Sequence, residues 1–347
     1  MVFDNFKIYG QIIRCFTHTL FNKRKKILIV SESFKGGGLE SRINHIVNLY
    51  HQKYHFVLLT QTQKQDMKIK PTGYFKDIVI IPFKQNILTS FLFFCRFDIL
   101  DIHPFYTEWI ADLPVLSNKT KLFYTLHGLP SVSLFCPPQK SFDKIITVSL
   151  PLADMFIQKF PRYLDKTLLV KNAYNVSNKK PTFYPSHNIL FMLTNQTPIH
   201  DILNDIIDIL PKAYTIHCIG YPIPDSHKIN HRHRLIYDGF VDVSDYLKTN
   251  HFCLAVCRGG YAAMDLINHD IPTITVREKN AGGFYFDLIT PDNFEILSNQ
   301  NFVSWNPYHK KQSLAQIVPL LSGISSPFYH TCLSQFNSHK DITDYYE

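Results

Sequence analysis

The chain has 347 residues, 45% hydrophobic and 14% aromatic, which is enough apolar material for a full core in one large or two ordinary domains and excludes a disordered chain. Lys and Arg (36) exceed Asp and Glu (28) to leave a net charge of +8, a mild basic excess that suits an anionic substrate or an anionic membrane surface. No zinc finger, long basic arm or interleaved Arg–aromatic pattern points to nucleic acid. Seven cysteines, odd in number and without a C-x-x-C pair, read as free thiols in a reducing, cytoplasmic setting. No stretch reads as a signal peptide, and the longest apolar run, around 91–95, is far too short to span a bilayer.

Residues 1–24 form an N-terminal extension in which Phe3, Phe6, Ile8, Ile12, Ile13, Phe16 and Leu20 recur at roughly helical spacing ahead of Lys23-Arg24-Lys25-Lys26. Two readings stand. The helix lies on an anionic membrane, or it packs on the domain and ends in a solvated charge cluster. The buried-type strand KILIVS (26–31) then runs into Gly36-Gly37-Gly38 and a helix over about 39–50. Strands follow at HFVLLT (55–60), DIVIIP (77–82), a run ending at His103, KLFYTL (121–126) ending at His127-Gly128, DKIITVS (143–149) and TLLV (167–170). Strands alternating with helices indicate a parallel α/β sheet.

Residues 173–187 are polar with two prolines and read as a linker between a first domain over 25–172 and a second over 188–310. The second series has strands at 188–193, 214–219 and 235–237, with a helix over 201–210 and a short one at 245–247. The apolar run Phe252-Cys253-Leu254-Ala255-Val256 reads as a strand, Arg258-Gly259-Gly260 as a turn, and Ala262 to Ile267 as a helix stopped by Pro272. A strand, a glycine turn and a helix start make an anion site, where backbone N–H groups and the positive end of the helix dipole face the ligand. Arg258 adds a fork of donors suited to phosphate. The alternative is a surface arginine at an ordinary turn. The tail, 311–347, reads as a helical segment over about 329–346 that packs back on the domain junction.

Several of these pieces stand in one order: Gly37-Gly38-Leu39-Glu40, His127-Gly128, Ile146-Thr147-Val148-Ser149, Asn172, Gly239-Phe240-Val241-x-Val243, and Asp270-Ile271-Pro272-Thr273-Ile274. The chain thereby resembles the family-4 glycosyltransferases of the GT-B fold over roughly 26–305. Arg258-Gly259, Gly282-Gly283, Thr290-Pro291-Asp292-Asn293 and Asn301-Phe302 resemble a subset with an Arg-Gly donor motif. The resemblance implies an α/β protein of two Rossmann-like domains facing across a cleft. It implies transfer of a sugar from a nucleotide-diphosphate donor to a glycan or lipid-linked glycan acceptor. Anomeric configuration would be retained, with no metal and no cofactor beyond the nucleotide sugar itself; the membrane reading of residues 1–24 would add peripheral contact at the inner face of a membrane.

Residue roles follow from the resemblance. Arg258 and His127 are the catalytic candidates. Gly37, Gly38, Arg258, Gly259, Gly260, Tyr261, Ala262 and Asp265 are candidates for donor binding, and His103 for acceptor contact. Negative charge grows on the leaving diphosphate as the glycosidic bond breaks, and Arg258 with the N–H groups of residues 260–262 would meet it. Arg277 and Lys279 are further candidates. Asp265 would accept the ribose hydroxyls. His127 would contact the sugar or acceptor, with a near-neutral pKa suited to proton relay. For each histidine and aspartate the plain alternative is a residue bonded to its own surroundings. The chain departs from the family in two places. Residues 194–200 read Thr-Asn-Gln-Thr-Pro-Ile-His where relatives carry Arg and Lys, and Cys257 and Asp265 occupy the two positions usually held by glutamates. These departures motivate the alternative of an inactive GT-B protein that binds a glycan or a partner. A nucleotide-sugar epimerase shares the fold, but Cys257 argues against it.

Overall fold

Runs rich in Ile, Leu and Val, buried on both faces, form the strands, as parallel sheets covered by helices require. The computed structural model describes residues 2–35, 37–103, 108–116, 118–139, 141–172, 186–193, 203, 213–220, 234–278, 284–303 and 345–346. The chain divides into two compact units, one of Met1–Ala173 with Asp341–Glu347 and the other of Tyr174–Lys340.

In the first unit a sheet of seven strands is parallel throughout, in the order β3-β2-β1-β4-β5-β6-β7. These are β1 (Lys26–Ser31), β2 (His55–Thr60), β3 (Asp77–Ile80), β4 (Ile99–His103), β5 (Lys121–Leu126), β6 (Lys144–Thr147) and β7 (Thr167–Leu169). Side chains alternate across it. Leu28 and Val30 enter one core layer, Ile27 and Ile29 the other. Helix α1 (Val2–Leu20) is part of this unit: Ile12 and Cys15 are buried in the layer that holds Leu28. Arg14 Nε and His18 Nδ1 lie 3.2 and 2.8 Å from the Asp77 carboxylate on edge strand β3. Gln11 Oε1 accepts from the Ile80 N–H at 2.8 Å. Helix α2 (Gly38–Tyr50) covers the opposite layer, and α3 (Gln85–Cys95) packs beside α1. Short α4 (Leu129–Leu134) and α5 (Leu150–Lys159) complete the α1 side, with Phe135 and Phe156 stacked edge to face at 5.0 Å.

The second unit repeats the strand order one strand shorter, β10-β9-β8-β11-β12-β13. Its strands are β8 (Asn188–Leu193), β9 (Thr215–Gly220), β10 (Arg234–Gly239), β11 (Leu254–Cys257), β12 (Thr273–Glu278) and β13 (Phe284–Leu288). Among the described strands only β13, which the periodicity does not announce, runs antiparallel. Helices α6 (Val243–Thr249), α7 (Tyr261–Asn268) and α8 (Phe294–Asn299) are described here. Asp242 caps α6, its carboxylate accepting from the Asp245 N–H at 3.0 Å. Of the expected linker only 186–187 is described, and of the helix over 201–210 only Leu203. The helix over 329–346 lies outside the described residues except for Tyr345 and Tyr346, which belong to no helix.

Both sheets share one consequence. The strand order reverses between β1 and β4 in the first unit and between β8 and β11 in the second. At such a switch point the loops beyond the strands' carboxyl ends diverge and leave a crevice for a ligand.

Candidate functional site

In the first unit the histidine candidates stand at that switch point. His103 ends β4, and His127 follows β5, the next strand. Gly37 and Gly38 follow neighbouring β1 and open α2, and both are exposed. The period of two explains how the histidines meet. Ile99, Asp101 and His103 project from one face of β4, as Phe123 and Thr125 do from β5, with His127 next in that alternation. His103 Nδ1 and His127 Nε2 are 2.8 Å apart, and Asp101 Oδ1 lies 3.5 Å from His103 Nε2.

Asp101 is fully buried and belongs to no expected site. Thr125 Oγ1 donates to its Oδ1 at 3.0 Å, and the Tyr345 and Tyr346 hydroxyls donate to its Oδ2 at 3.0 and 2.9 Å. Burial pushes the Asp101 carboxyl up, but His103 and the two tyrosine hydroxyls outweigh it and hold the group below its ordinary value. Behind it lies Arg42, also fully buried, whose Nη2 donates to Val170 O at 3.1 Å and whose Nη1 donates to Asn172 Oδ1 at 2.8 Å. Asn172, which the sequence places at the close of the first domain, is thus an acceptor for a buried guanidinium.

The near-neutral pKa expected of His127 is overturned. Burial holds the ring well below its ordinary 6.5, and the charges of His103 and Arg42 act in the same direction. A ring shut off from water, with the Arg42 guanidinium near, loses more by ionising than it gains. The tautomers follow from the carboxylate. Negative Asp101, 3.5 Å from His103 Nε2, favours a proton there, and in the neutral His103 ring this makes Nδ1 the acceptor and His127 Nε2 the donor. His127 Nδ1 is then the nitrogen open to accept a hydrogen bond or a proton.

In the second unit Arg258, Gly259 and Gly260 link β11 to α7, again at the switch point. Gly259 and Gly260 have φ of +96° and +64°, conformations that side chains resist. A Cβ on Gly259 would lie 2.1 Å from Phe302 O. The Gly260 N–H donates to Asn301 O at 2.8 Å. That donor, expected to face a phosphate, is already engaged by the protein, and the expected N–H set shrinks to Tyr261 and Ala262. Asn301 and Phe302, which close α8 with φ of +56° and +54°, therefore act as a clamp on the glycine turn. No side chain caps α7 at Gly260. Arg258 and Asp265 are half-buried, Tyr261 is buried, and the Asp265 carbonyl meets His269 Nδ1 at 2.9 Å. Cys257 is buried and its thiol is pushed up to about 12 by that burial, so it carries no charge.

Residues 194–200, Lys279 and Gly282-Gly283 lie outside the described residues, as does the Arg277 side chain. Among the described residues no group of three His, Cys, Asp or Glu is placed to hold a metal ion.

No protein-family model matches the chain, and no curated protein matches it in sequence. Solved structures match it in fold. The Anabaena protein HepE in complex with UDP-glucose aligns at 15% identity over 72% of this chain and 79% of that one, with a TM-score of 0.53. The lipopolysaccharide outer core galactosyltransferase WaaB aligns at 12% identity over 72% and 80%, with a TM-score of 0.51. Sucrose-phosphate synthase from Thermosynechococcus elongatus aligns at 13% identity over 72% and 80%, with a TM-score of 0.52. At these identities the likeness is one of fold. The two α/β sheets are those of the GT-B glycosyltransferase structures.

Asp101, Thr125, Tyr345 and Tyr346 lie outside the site residues that the sequence suggests. A signal for the first two was present: Asp101 and His103, and Thr125 and His127, sit at alternate positions of otherwise apolar strands. Nothing local marks the two tyrosines.

Proposed function

We propose that the protein is a glycosyltransferase that moves a sugar from a nucleotide-diphosphate donor to a hydroxyl of a glycan or lipid-linked glycan. The observation that carries this reading is the clamped Arg258-Gly259-Gly260 turn at the switch point of a GT-B-type second unit. HepE, with the same fold, was solved with UDP-glucose, which makes uridine-diphosphate sugars the first donors to test. In the reaction the bond from the anomeric carbon to the diphosphate breaks with its electron pair going to the diphosphate, the acceptor hydroxyl oxygen bonds to that carbon, and the hydroxyl proton passes to an oxygen of the departing diphosphate. Arg258 and the N–H groups of Tyr261 and Ala262 would meet the charge that grows on the leaving diphosphate. Gly37 and Gly38 admit close approach of donor or acceptor. Asp265 takes the ribose hydroxyls. His127, neutral and oriented through His103 by Asp101, hydrogen-bonds the transferred sugar or the acceptor through Nδ1, and His103 supports it from the strand behind. Retention of configuration without a metal belongs to the same proposal.

The test is a panel of UDP- and GDP-sugars, followed for binding and for slow donor hydrolysis with and without EDTA. Arg258→Ala should weaken turnover on the order of a hundredfold, and the anomer of any product, read by NMR, reports retention. Absence of binding by every nucleotide sugar removes the transferase reading. Neutral, buried Cys257 favours a second reading, a GT-B protein that binds a sugar nucleotide or glycan without turnover. Binding without hydrolysis or transfer would select it.

A further inference from the structure

Helix α1 has three faces, and only two of them are satisfied by unit 1. Ile8, Ile12, Cys15 and Thr19, spaced by three and four, face the core. Gln11, Arg14 and His18 face edge strand β3. The third row, Phe6, Tyr9, Ile13 and Leu20, has helical spacing and points to solvent, with Phe6 74% and Ile13 62% exposed. The row continues past the helix end to Phe21, 81% exposed. Phe16 meets Phe94 of α3 with ring centroids 6.3 Å apart, and Phe94 meets Phe93 at 5.5 Å, so the exposed α3 pair extends the same apolar face. Two exposed rows of large side chains on adjacent helices make a contiguous patch, not scattered surface residues.

Charge indicates what covers it. Exposed Lys23 and Lys25 follow the helix end, and the described side chains of α1 and α3 include no carboxylate. Phe93 also lines a cavity of about 440 Å³ whose charged wall is Lys26, Arg96 and Lys119 against Asp98. A two-fold copy of this chain would set like charge against like charge at such a rim. A bilayer with anionic headgroups takes the apolar row among its acyl chains and the cations at its phosphates. No described helix is long and apolar enough to cross a membrane, so the contact is peripheral.

We propose that the outer face of α1 with the exposed end of α3 docks on an anionic phospholipid surface, with the Arg96–Lys119 cavity receiving a headgroup. The helix packs on the domain and displays a membrane face at once, so the two readings of residues 1–24 are not alternatives. The inference stands independently of the transferase reading.

The experiment is flotation of the full chain with vesicles of phosphatidylcholine alone and of phosphatidylcholine with phosphatidylglycerol. The chain should float only with the anionic vesicles, and less as salt is raised. Replacing Phe6, Ile13 and Phe93 together by Ser, all at exposed positions, should lower the bound fraction on the order of tenfold. Lys23→Glu with Lys25→Glu should lower it less, and only on anionic vesicles. Hydrogen exchange on the unmodified chain should show protection of residues 6–21 when anionic vesicles are added, a readout that needs no variant. Flotation equal on both vesicles, no protection of 6–21, or a triple variant that floats like the parent overturns the proposal. So does a parent dimer that the triple variant converts to monomer, which would assign the face to a second copy.

Discussion

The two switch points solve one problem with opposite materials. In the first unit polar side chains do the work: Asp101, His103, His127 and Thr125 project from two strands and are closed by two tyrosines from the far end of the chain. In the second unit the backbone does it: two glycines turn the chain sharply and a loop carbonyl holds one of their N–H groups. A side-chain site can set tautomers and shift pKa values, because its buried charges face one another at low effective dielectric. A backbone site offers no titration but brings N–H groups close to an anion, because no Cβ stands in the way.

The sharpest way to break the first unit's site is from its far end. Tyr346 packs against Tyr54, Phe56 and Phe123 and donates to Asp101, so Tyr346→Ala removes a buried ring and a charge-directed hydrogen bond together. The expected loss of stability is about 5 kcal/mol in denaturant unfolding. Tyr346→Phe keeps the ring and drops only the hydroxyl, and should cost about 2 kcal/mol. Equal losses in the two variants would show that the hydrogen bond alone, and not the packed ring, holds the tail, and no loss in Tyr346→Phe would show that packing alone does.

The corresponding break in the second unit is Gly259→Ala, which places a Cβ 2.1 Å from Phe302 O at a φ of +96°. It should destabilise the turn by about 3 kcal/mol, seen as a lower unfolding midpoint, and weaken nucleotide-sugar binding. Gly260→Ala meets only Asn301 Nδ2, at 3.7 Å, and should cost about 1–2 kcal/mol from its φ alone. If the two alanines cost the same, the clamp by Phe302 is not what shapes the turn.

Acid separates the units further. His55 of the first unit is buried with Asn22 Nδ2 at 2.7 Å from its Nδ1, an arrangement that needs a neutral ring. Burial lowers its pKa from 6.5 to about 4, and His127 is lowered by the same cause. The folded state therefore takes up these protons later than the unfolded chain. Stability should fall as pH drops below 6.5 and level for His55 near 4. Asp101, held below its ordinary 3.8, keeps its contribution above that pH and loses it only as pH falls through its lower folded value. Denaturant midpoints across this range should slope less in His55→Gln. A depressed His127 also predicts a transfer rate without an inflection near pH 6.5 from this group. The smallest effect is on the tautomer: Asp101→Asn should shift the nitrogen NMR signature of His127 away from a single Nε2–H form, and an unchanged signature would show that Asp101 does not orient His127 through His103.

Local pattern was sufficient for much of this protein. The strands KILIVS, HFVLLT, KLFYTL and NILFML stand where their apolar runs place them. Arg258-Gly259-Gly260 reads as a turn before a helix because all its parts are consecutive in the chain. The tertiary structure alone decided that Asp101 receives hydroxyls 244 and 245 residues away. It also decided that His127 is driven to low pKa by burial, that the Gly260 N–H is held by Asn301, and that α1 buries one apolar row while exposing another. Periodicity reports which residues share a face of one element. Burial, charge environment and hydrogen-bond partners depend on what that face meets, and that is set by parts of the chain distant in sequence.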